Sequence, residues 1–204
     1  MINRDGKLYA KVIGGELKGK NIELPSLEVT RSSKSILKES VFNSLQFEIV
    51  DENFVEVFGG SGSIGIEAVS RGAKYCYFIE KNENSYRVLK DNLKRLKIDN
   101  ARAILGDSFN KLDSVIADLT NKNEKAYFYF DPPFSTRDGM EDVYEKSLEL
   151  VKKVPNSLIC EIIIEHMSSL SLDDVIGGLI LKKRKKFGKS SISYYIPKER
   201  LDNE

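Results

Sequence analysis

The chain has 204 residues, of which 41% are hydrophobic and 31% charged, enough for one well-buried core and a small appendage. One histidine and two cysteines without a C-x-x-C motif argue against a zinc site or a disulfide framework, and the net charge of +1 does not indicate a partner. The chain start lacks an apolar leader and no apolar run could cross a bilayer, so we expect a cytoplasmic monomer with no membrane partner and no metal.

The first 50 residues predict a small extension. The segments LYAKVIGG and KNIELP flank a glycine-rich turn, as in a β-hairpin. In SKSILKESVFNSL, Leu37, Val41 and Leu45 share one face of a helix. Because lysine and arginine are frequent here, we expect residues 1–50 to contact RNA, with packing on a sheet edge as the alternative.

Residues 51–204 predict a doubly wound, Rossmann-like α/β domain. The apolar runs NFVEVF, YCYFIE, ARAIL, AYFYF and SLICEIII alternate with helix-like segments, the last of them a weak one near 168–176. GLILKKRKKF and SISYYIP follow with only GKS between them, which is typical of an antiparallel hairpin. The expected sheet has seven strands, mostly parallel, with this hairpin at its carboxy-terminal end.

A glycine loop joins the first of these strands to a helix. In EVFGGSGSIG, Gly60, Gly62 and Gly65 fit G-x-G-x-x-G, where the backbone turns tightly and admits a ligand. Glu80 ends the next strand twenty residues after Gly60 and could accept hydrogen bonds from ribose hydroxyls. This pattern predicts an adenosine-containing cofactor but does not separate a dinucleotide from S-adenosylmethionine.

Two further acids lie at strand ends in the same half of the chain. Glu56 ends the first strand, where an acid could face the amino group of a methionine moiety. Asp107 follows ARAIL and could bind the exocyclic amine of an adenine, or it could cap the next helix. Gly72 is predicted to be a helix C-cap rather than part of a site.

A rigid acidic turn follows the fourth strand. Asp131 precedes Pro132 and Pro133, which fix the backbone, and Phe134 offers a flat apolar face. The Asp131 carboxylate and the Pro132 carbonyl can both accept hydrogen bonds from an amino group on a planar ring. Two such acceptors would favour the positive charge that develops as the amine attacks the sulfonium methyl of S-adenosylmethionine. The alternative is a turn that only ends a strand.

These motifs together resemble the class I S-adenosylmethionine-dependent methyltransferases with a D/N-P-P-Y/F motif, and in particular the bacterial 16S ribosomal RNA guanine-N2 methyltransferases of the RsmD type. The resemblance rests on KVIGGELKGKNIELP, TRSSKSILKESVFNSL, EVFGGSGSIGIEAVSRGA, FIEKN, DPPF and KRKKFGKSSISYY. It implies methyl transfer to the exocyclic N2 of a guanine in 16S ribosomal RNA, either in the small ribosomal subunit or in an assembly intermediate.

The resemblance and the motifs together give a candidate set of site residues. The cofactor residues are Glu56, Phe58, Gly59, Gly60, Ser61, Gly62, Glu80, Lys81, Asp107 and Ser108. The catalytic residues around the target base are Asp131, Pro132, Pro133 and Phe134. The RNA-binding residues come from the two basic ends of the chain and are Arg31, Lys34, Lys38, Lys183, Arg184, Lys185 and Lys186.

The sequence departs from the family pattern at two places. Members usually read Arg-Pro-Thr at the entry to the first helix, with a further Asp and Arg shortly after, whereas residues 31–36 here read RSSKSI. The usual aspartate of the glycine motif is Glu56, and an alanine is replaced by Gly59. The first difference bears on RNA docking more than on methyl transfer.

Other functions fit the same motifs. An amino methyltransferase acting on adenine N6 in nucleic acid, or on a protein glutamine, would have a similar site. A nicotinamide-dependent oxidoreductase would have a similar glycine loop. A nucleic-acid-binding module without catalysis is the third alternative, which Asp131 argues against. His166, Cys76 and Cys160 are expected to be core or edge residues.

Overall fold

The computed structural model describes residues 7–25, 31–132 and 143–203, with side chains at 31–34 and 201–203 left out. The chain forms two compact units, residues 1–111 and 112–204. Both are α/β, and the expected class is confirmed: the fold has a mostly parallel central sheet and an antiparallel carboxy-terminal hairpin. Within the described ranges, every helix is too short or too polar to span a bilayer.

The first unit begins with the expected hairpin and helix. Strands β1 and β2 pair antiparallel, and β3, β4 and β5 pair in parallel in the order β5-β4-β3. Leu37, Val41 and Leu45 are all buried, as their helical spacing predicts. The elements are β1 (Leu8–Lys11), β2 (Asn21–Leu24), α1 (Arg31–Leu45), β3 (Asn53–Glu56), α2 (Ser63–Ser70), β4 (Tyr75–Glu80), α3 (Glu83–Leu96), β5 (Ala101–Leu105) and the start of α4 (Ser108–Lys122).

The second unit carries the acidic turn and the carboxy-terminal hairpin. Strands β6 and β7 are parallel, and β7-β10-β9-β8 follow as antiparallel neighbours. The elements after α4 are β6 (Ala126–Phe130), α5 (Val143–Lys153), a 3-10 turn (Asn156–Leu158), β7 (Ile159–Met167), β8 (Val175–Ile176), β9 (Leu179–Phe187), β10 (Ser190–Pro197) and a final 3-10 helix (Lys198–Asn203).

The segment near 168–176 differs from expectation. It forms no helix; its last two residues form β8, which pairs with Leu179 and Ile180 of β9. Serines and aspartates here favour local turns over a helix. With β8, the described residues contain eight strands after the hairpin, β3 to β10, whereas seven were predicted.

The hairpin is fastened to α2 by the buried acid Glu67. Its carboxylate accepts hydrogen bonds from the backbone N–H groups of Ile13 (2.9 Å) and Gly14 (2.8 Å). It also pairs with the Arg71 Nε at 2.9 Å and the Lys38 Nζ at 3.3 Å. A buried carboxylate with this many donors is satisfied, so hairpin, α1 and α2 share one polar centre. The predicted extension thus belongs to the same compact unit as the glycine loop.

This polar centre corrects the role predicted for Lys38. Its side chain is 4% exposed, and its ammonium also donates to the Lys11 carbonyl at 2.8 Å. Burial lowers the pKa of Lys38, and the neighbouring Glu67 opposes that shift. Lys38 is therefore a structural cation of the hairpin base and is not presented to RNA.

Lys38→Met should destabilise the protein by about 3 kcal/mol, because it removes one partner of a buried ion pair. Denaturant unfolding measures the loss. Lys94→Met, at an exposed lysine of α3, is the control and should change stability by less than about 0.5 kcal/mol. Equal, small effects of both substitutions would contradict a structural role for Lys38.

Candidate functional site

The glycine loop between β3 and α2 is shaped by backbone conformation and by close approach. Gly60 and Gly62 have φ of 51° and 79°, in the left-handed region that favours glycine. A Cβ on Gly62 would lie 2.4 Å from the Leu89 Cδ1, and one on Gly65 would lie 2.3 Å from the Phe78 ring. Gly59 donates its N–H to the Ile79 carbonyl at 2.7 Å, which fixes the loop on β4. Glycine is therefore favoured at Gly60 and Gly62 by the positive φ, and at Gly62 and Gly65 by the close packing of neighbouring side chains.

Glu56 accepts hydrogen bonds from the start of α2, where the glycine loop ends. Its side chain is 4% exposed and accepts hydrogen bonds from Gly65 N–H at 2.8 Å and Ile64 N–H at 3.4 Å. These groups belong to the first turn of α2, whose N-cap Gly62 has no side chain to satisfy them. Glu56 thus takes the place of a helix cap. Contact of Glu56 with a ligand ammonium stays a prediction.

Glu80 meets the loop from the end of β4. One carboxylate oxygen accepts from Gly60 N–H at 2.6 Å and the other from Asn82 N–H at 2.6 Å. The twenty-residue spacing therefore does bring the acid to the glycine turn. Glu80 is half-buried, which leaves part of its carboxylate open to solvent beside the loop.

Lys81 follows β4 directly, and Asp107 and Ser108 lie just after the end of β5. Asp107 accepts from Phe109 N–H at 3.1 Å, so it caps α4, which is the alternative that the sequence left open. It also pairs with Lys81 at 2.8 Å, and this hydrogen bond lowers the pKa of Asp107. Ser108 is buried and donates its hydroxyl to the Val57 carbonyl, which ties α4 to the end of β3. Contact of Asp107 with an adenine stays a prediction.

Phe109 was not among the predicted site residues. Its ring lies edge-on to that of Phe58, with centroids 6.4 Å apart and planes at 64°. Both rings are half-exposed, so they offer an apolar surface beside the glycine loop. The signal in the sequence was an aromatic residue two positions after a strand-end aspartate.

Asp131 follows β6 directly and is half-buried, while Pro132 is buried. The other predicted catalytic residues, Pro133 and Phe134, lie outside the described residues. The strand below the acid is fixed by a buried contact, since Tyr129 donates its hydroxyl to Glu165 of β7 at 2.8 Å. Tyr129 lies two residues before Asp131, so this contact fixes the end of the strand from which the acid follows.

The basic run of β9 does not form one surface. Strand alternation places Arg184 and Lys186 on an exposed face, while Lys183 and Lys185 are half-buried on the other. The Lys183 ammonium lies 4.6 Å from the centroid of the buried Tyr194 ring. Arg184 donates to the Ser193 hydroxyl at 2.9 Å and to the Leu172 carbonyl at 2.6 Å.

The other residues singled out from the sequence either lie where a core or capping role predicts or have no described side chain. Arg31 and Lys34 begin α1, but their side chains lie outside the described part. Cys76 and Cys160 are buried and not in a disulfide, and His166 is a buried residue that contacts the Ser193 hydroxyl at 2.9 Å, as a core role predicts. Gly72 has φ of 101° and follows the C-cap of α2, as expected.

The sequence of this chain is similar to a known protein family. The family model described as conserved hypothetical protein 95 matches residues 10–196. The chain belongs to this family. The resemblance to the RsmD-type methyltransferases is confirmed, because several relatives are named ribosomal RNA small subunit methyltransferase D.

Three members illustrate the similarity. The putative rRNA methyltransferase YlbH of Bacillus subtilis (strain 168) is 26% identical over 192 residues, which cover 91% of this chain and 97% of that protein. Ribosomal RNA small subunit methyltransferase D of Escherichia coli (strain K12) is 32% identical over 132 residues, which cover 65% and 64% of the two chains. The solved putative methyltransferase yhhF from Escherichia coli has a TM-score of 0.72 and 26% identity, with 93% and 98% covered.

Gly62→Ala should destabilise the chain without cofactor by about 1–3 kcal/mol more than Gly60→Ala. Both substitutions incur the strain of a positive φ, but only the first forces a Cβ against Leu89; a Cβ on Gly60 would meet nothing within 4 Å. Denaturant unfolding of the two variants gives the difference directly. Equal losses would mean that Leu89 moves aside at no cost.

Proposed function

We propose that this chain transfers the methyl group of S-adenosylmethionine to the exocyclic N2 of a guanine in 16S ribosomal RNA. The observation that carries the proposal is the capping of α2 by Glu56, because it favours a cofactor with a positive charge at the glycine loop over one with a pyrophosphate. The relatives named as ribosomal RNA methyltransferases support the reaction and the substrate class.

The capped helix argues against a dinucleotide. In dinucleotide-binding loops, free N–H groups at the helix N-terminus bind the pyrophosphate. In this chain two of those groups, on Ile64 and Gly65, already donate to the Glu56 carboxylate. A pyrophosphate would meet a negative charge instead of donors. A cofactor with an ammonium group suits the same loop, because that positive charge is attracted to the acid.

The remaining groups of the loop suit the adenosine half of the cofactor. Glu80 is positioned to accept hydrogen bonds from ribose hydroxyls, and the Phe58 and Phe109 rings offer an apolar surface for adenine. Asp107 would accept from the adenine amino group while it caps α4.

The acid of the second unit suits an amine. In the proposed reaction, the Asp131 carboxylate and the Pro132 carbonyl accept hydrogen bonds from the guanine N2 amino group, and Phe134 stacks on the base. The N2 lone pair attacks the methyl carbon, the carbon–sulfur bond breaks, and S-adenosylhomocysteine leaves. The proton that N2 loses goes to Asp131 or to water. The base must be unpaired, since N2 is otherwise engaged in a duplex.

The test of the reaction is transfer of tritiated methyl groups to ribosomal RNA, and to small-subunit particles, from cells that lack this protein. Nucleoside analysis should give N2-methylguanosine. N6-methyladenosine would reassign the target to adenine, and calorimetric binding of NAD with none of S-adenosylmethionine would overturn the proposal.

Asp131→Ala should lower the methyl-transfer rate by at least about 100-fold, because it removes an acceptor that favours the developing positive charge. Binding of S-adenosylmethionine, measured by calorimetry, should change by less than about threefold. Asp113→Ala, at an exposed acid of α4, is the control and should leave both quantities unchanged. Unaltered turnover in Asp131→Ala would remove this residue from the mechanism.

The alternation of β9 sharpens the expected RNA contact. We expect the exposed face to meet phosphates, so Lys186→Gln should reduce the slope of log affinity against log salt by about 0.7–0.9. Lys183→Gln/Lys185→Gln, on the half-buried face, should leave the slope unchanged. A reduced slope only in the double variant would assign RNA binding to the opposite face.

A further inference from the structure

Asn92 of α3 is fully buried and contacts the hairpin and the glycine loop at once. Its amide nitrogen donates to the carbonyl of Glu23 at 2.9 Å and to that of Ser61 at 3.0 Å. Its amide oxygen accepts from Glu23 N–H at 2.9 Å and from the Arg95 guanidinium at 2.7 Å. All donors and acceptors of the side chain are therefore used.

The contacts with Glu23 are those of a neighbouring strand. Both backbone groups of Glu23 bond to one amide, as they would in a sheet, while Glu23 pairs with Tyr9 on its other side. The Asn92 amide thus bonds to β2 at Glu23 as one residue of a neighbouring strand would. Because the same amide holds the Ser61 carbonyl, a shift of the hairpin must move or break a bond of the loop.

Ser61 is the centre of the loop. It lies between Gly60 and Gly62, the two residues with positive φ, and is 8% exposed. These neighbours are glycines, so the loop has little intrinsic preference for one conformation. A buried bond to the Ser61 carbonyl is thus well placed to select the conformation that binds a ligand.

We propose that Asn92 is a positioning residue that joins hairpin strand β2 to the glycine loop, so that a cofactor bound at the loop also orders the hairpin. The proposal rests on the cofactor site of the proposed function. Ordering of the hairpin would affect RNA binding, since the hairpin residues Lys11, Lys18 and Lys20 are exposed. Cofactor binding would then fix the geometry in which these cations meet phosphates.

The structure supplies a matched control in Glu67. This acid also fastens the hairpin, through Ile13 and Gly14, but its contacts lie on α1, α2 and the hairpin base and not on residues 59–62. Glu67→Gln should therefore loosen the hairpin and lower stability without disturbing the Ser61 carbonyl. Asn92→Asp is nearly isosteric; it keeps the acceptor for Glu23 N–H but places a carboxylate oxygen against two carbonyl oxygens.

The first test needs no variant. Hydrogen exchange of the wild-type protein is measured with and without saturating S-adenosylhomocysteine. Amides of residues 8–24 should exchange more slowly with the ligand, although the contacts of the loop lie elsewhere in sequence. Protection confined to the loop and its neighbouring strand ends would overturn the coupling. A wild-type protein that binds no S-adenosylhomocysteine would overturn the proposed function itself, and this inference with it.

The second test compares variants at equal stability. The denaturant concentration is adjusted so that Asn92→Asp and Glu67→Gln have the same free energy of unfolding. Under these conditions Asn92→Asp should bind S-adenosylhomocysteine at least about 10-fold more weakly than wild type. It should also lose the ligand-induced protection of the hairpin amides from exchange. Glu67→Gln should bind within about threefold of wild type and keep the protection. Equal losses in both variants would show that Asn92 acts only through stability; if Asn92→Asp does not fold, the wild-type exchange result decides.

Discussion

The glycine loop depends on one constraint, that backbone N–H groups exposed by a tight turn and a helix start need acceptors. Two carboxylates meet this need: Glu56 on the first turn of α2 and Glu80 on Gly60. The cap by Glu56 gives the start of α2 a negative charge that the phosphate-binding helix starts of dinucleotide loops lack. In the proposed function, this acid makes a glycine pattern that several cofactor classes share selective for one of them, which the pattern alone does not reveal.

Much of this could be predicted because it depends on local rules. Hydrophobic periodicity gave the hairpin, α1 and the alternating strands and helices, and the spacing of Glu80 from Gly60 gave their meeting. The burial of Lys38 could not be predicted, because a lysine is taken to be exposed unless a partner is known, and Glu67 is 29 residues away. Asn92 carries no local signal, since its importance comes from tertiary neighbours. The division of the β9 lysines, in contrast, was already contained in the strand period.

The hairpin is less separate than its position before the main sheet implies. It is held at its base by Glu67 and at its second strand by Asn92, both of which bond backbone groups. Backbone bonds fix position whatever side chains the hairpin carries, so its exposed surface is left unconstrained by this attachment. The buried backbone groups of the hairpin therefore bond to residues next to the glycine loop, while its lysine side chains face solvent.

The placement of acids also fits the charge movement of the proposed reaction. Methyl transfer moves a positive charge from sulfur to the attacking nitrogen, so an acid near sulfur would stabilise the ground state, whereas one near nitrogen stabilises the transition state. In the proposed site, Glu80 and Glu56 serve the ribose and amino ends of the cofactor and not the sulfur. Asp131 suits the nitrogen, and its strand is held by the buried contact between Tyr129 and Glu165. A carboxylate on a fixed strand needs little rearrangement as charge develops, which is the condition under which an acceptor lowers a barrier rather than only binding substrate.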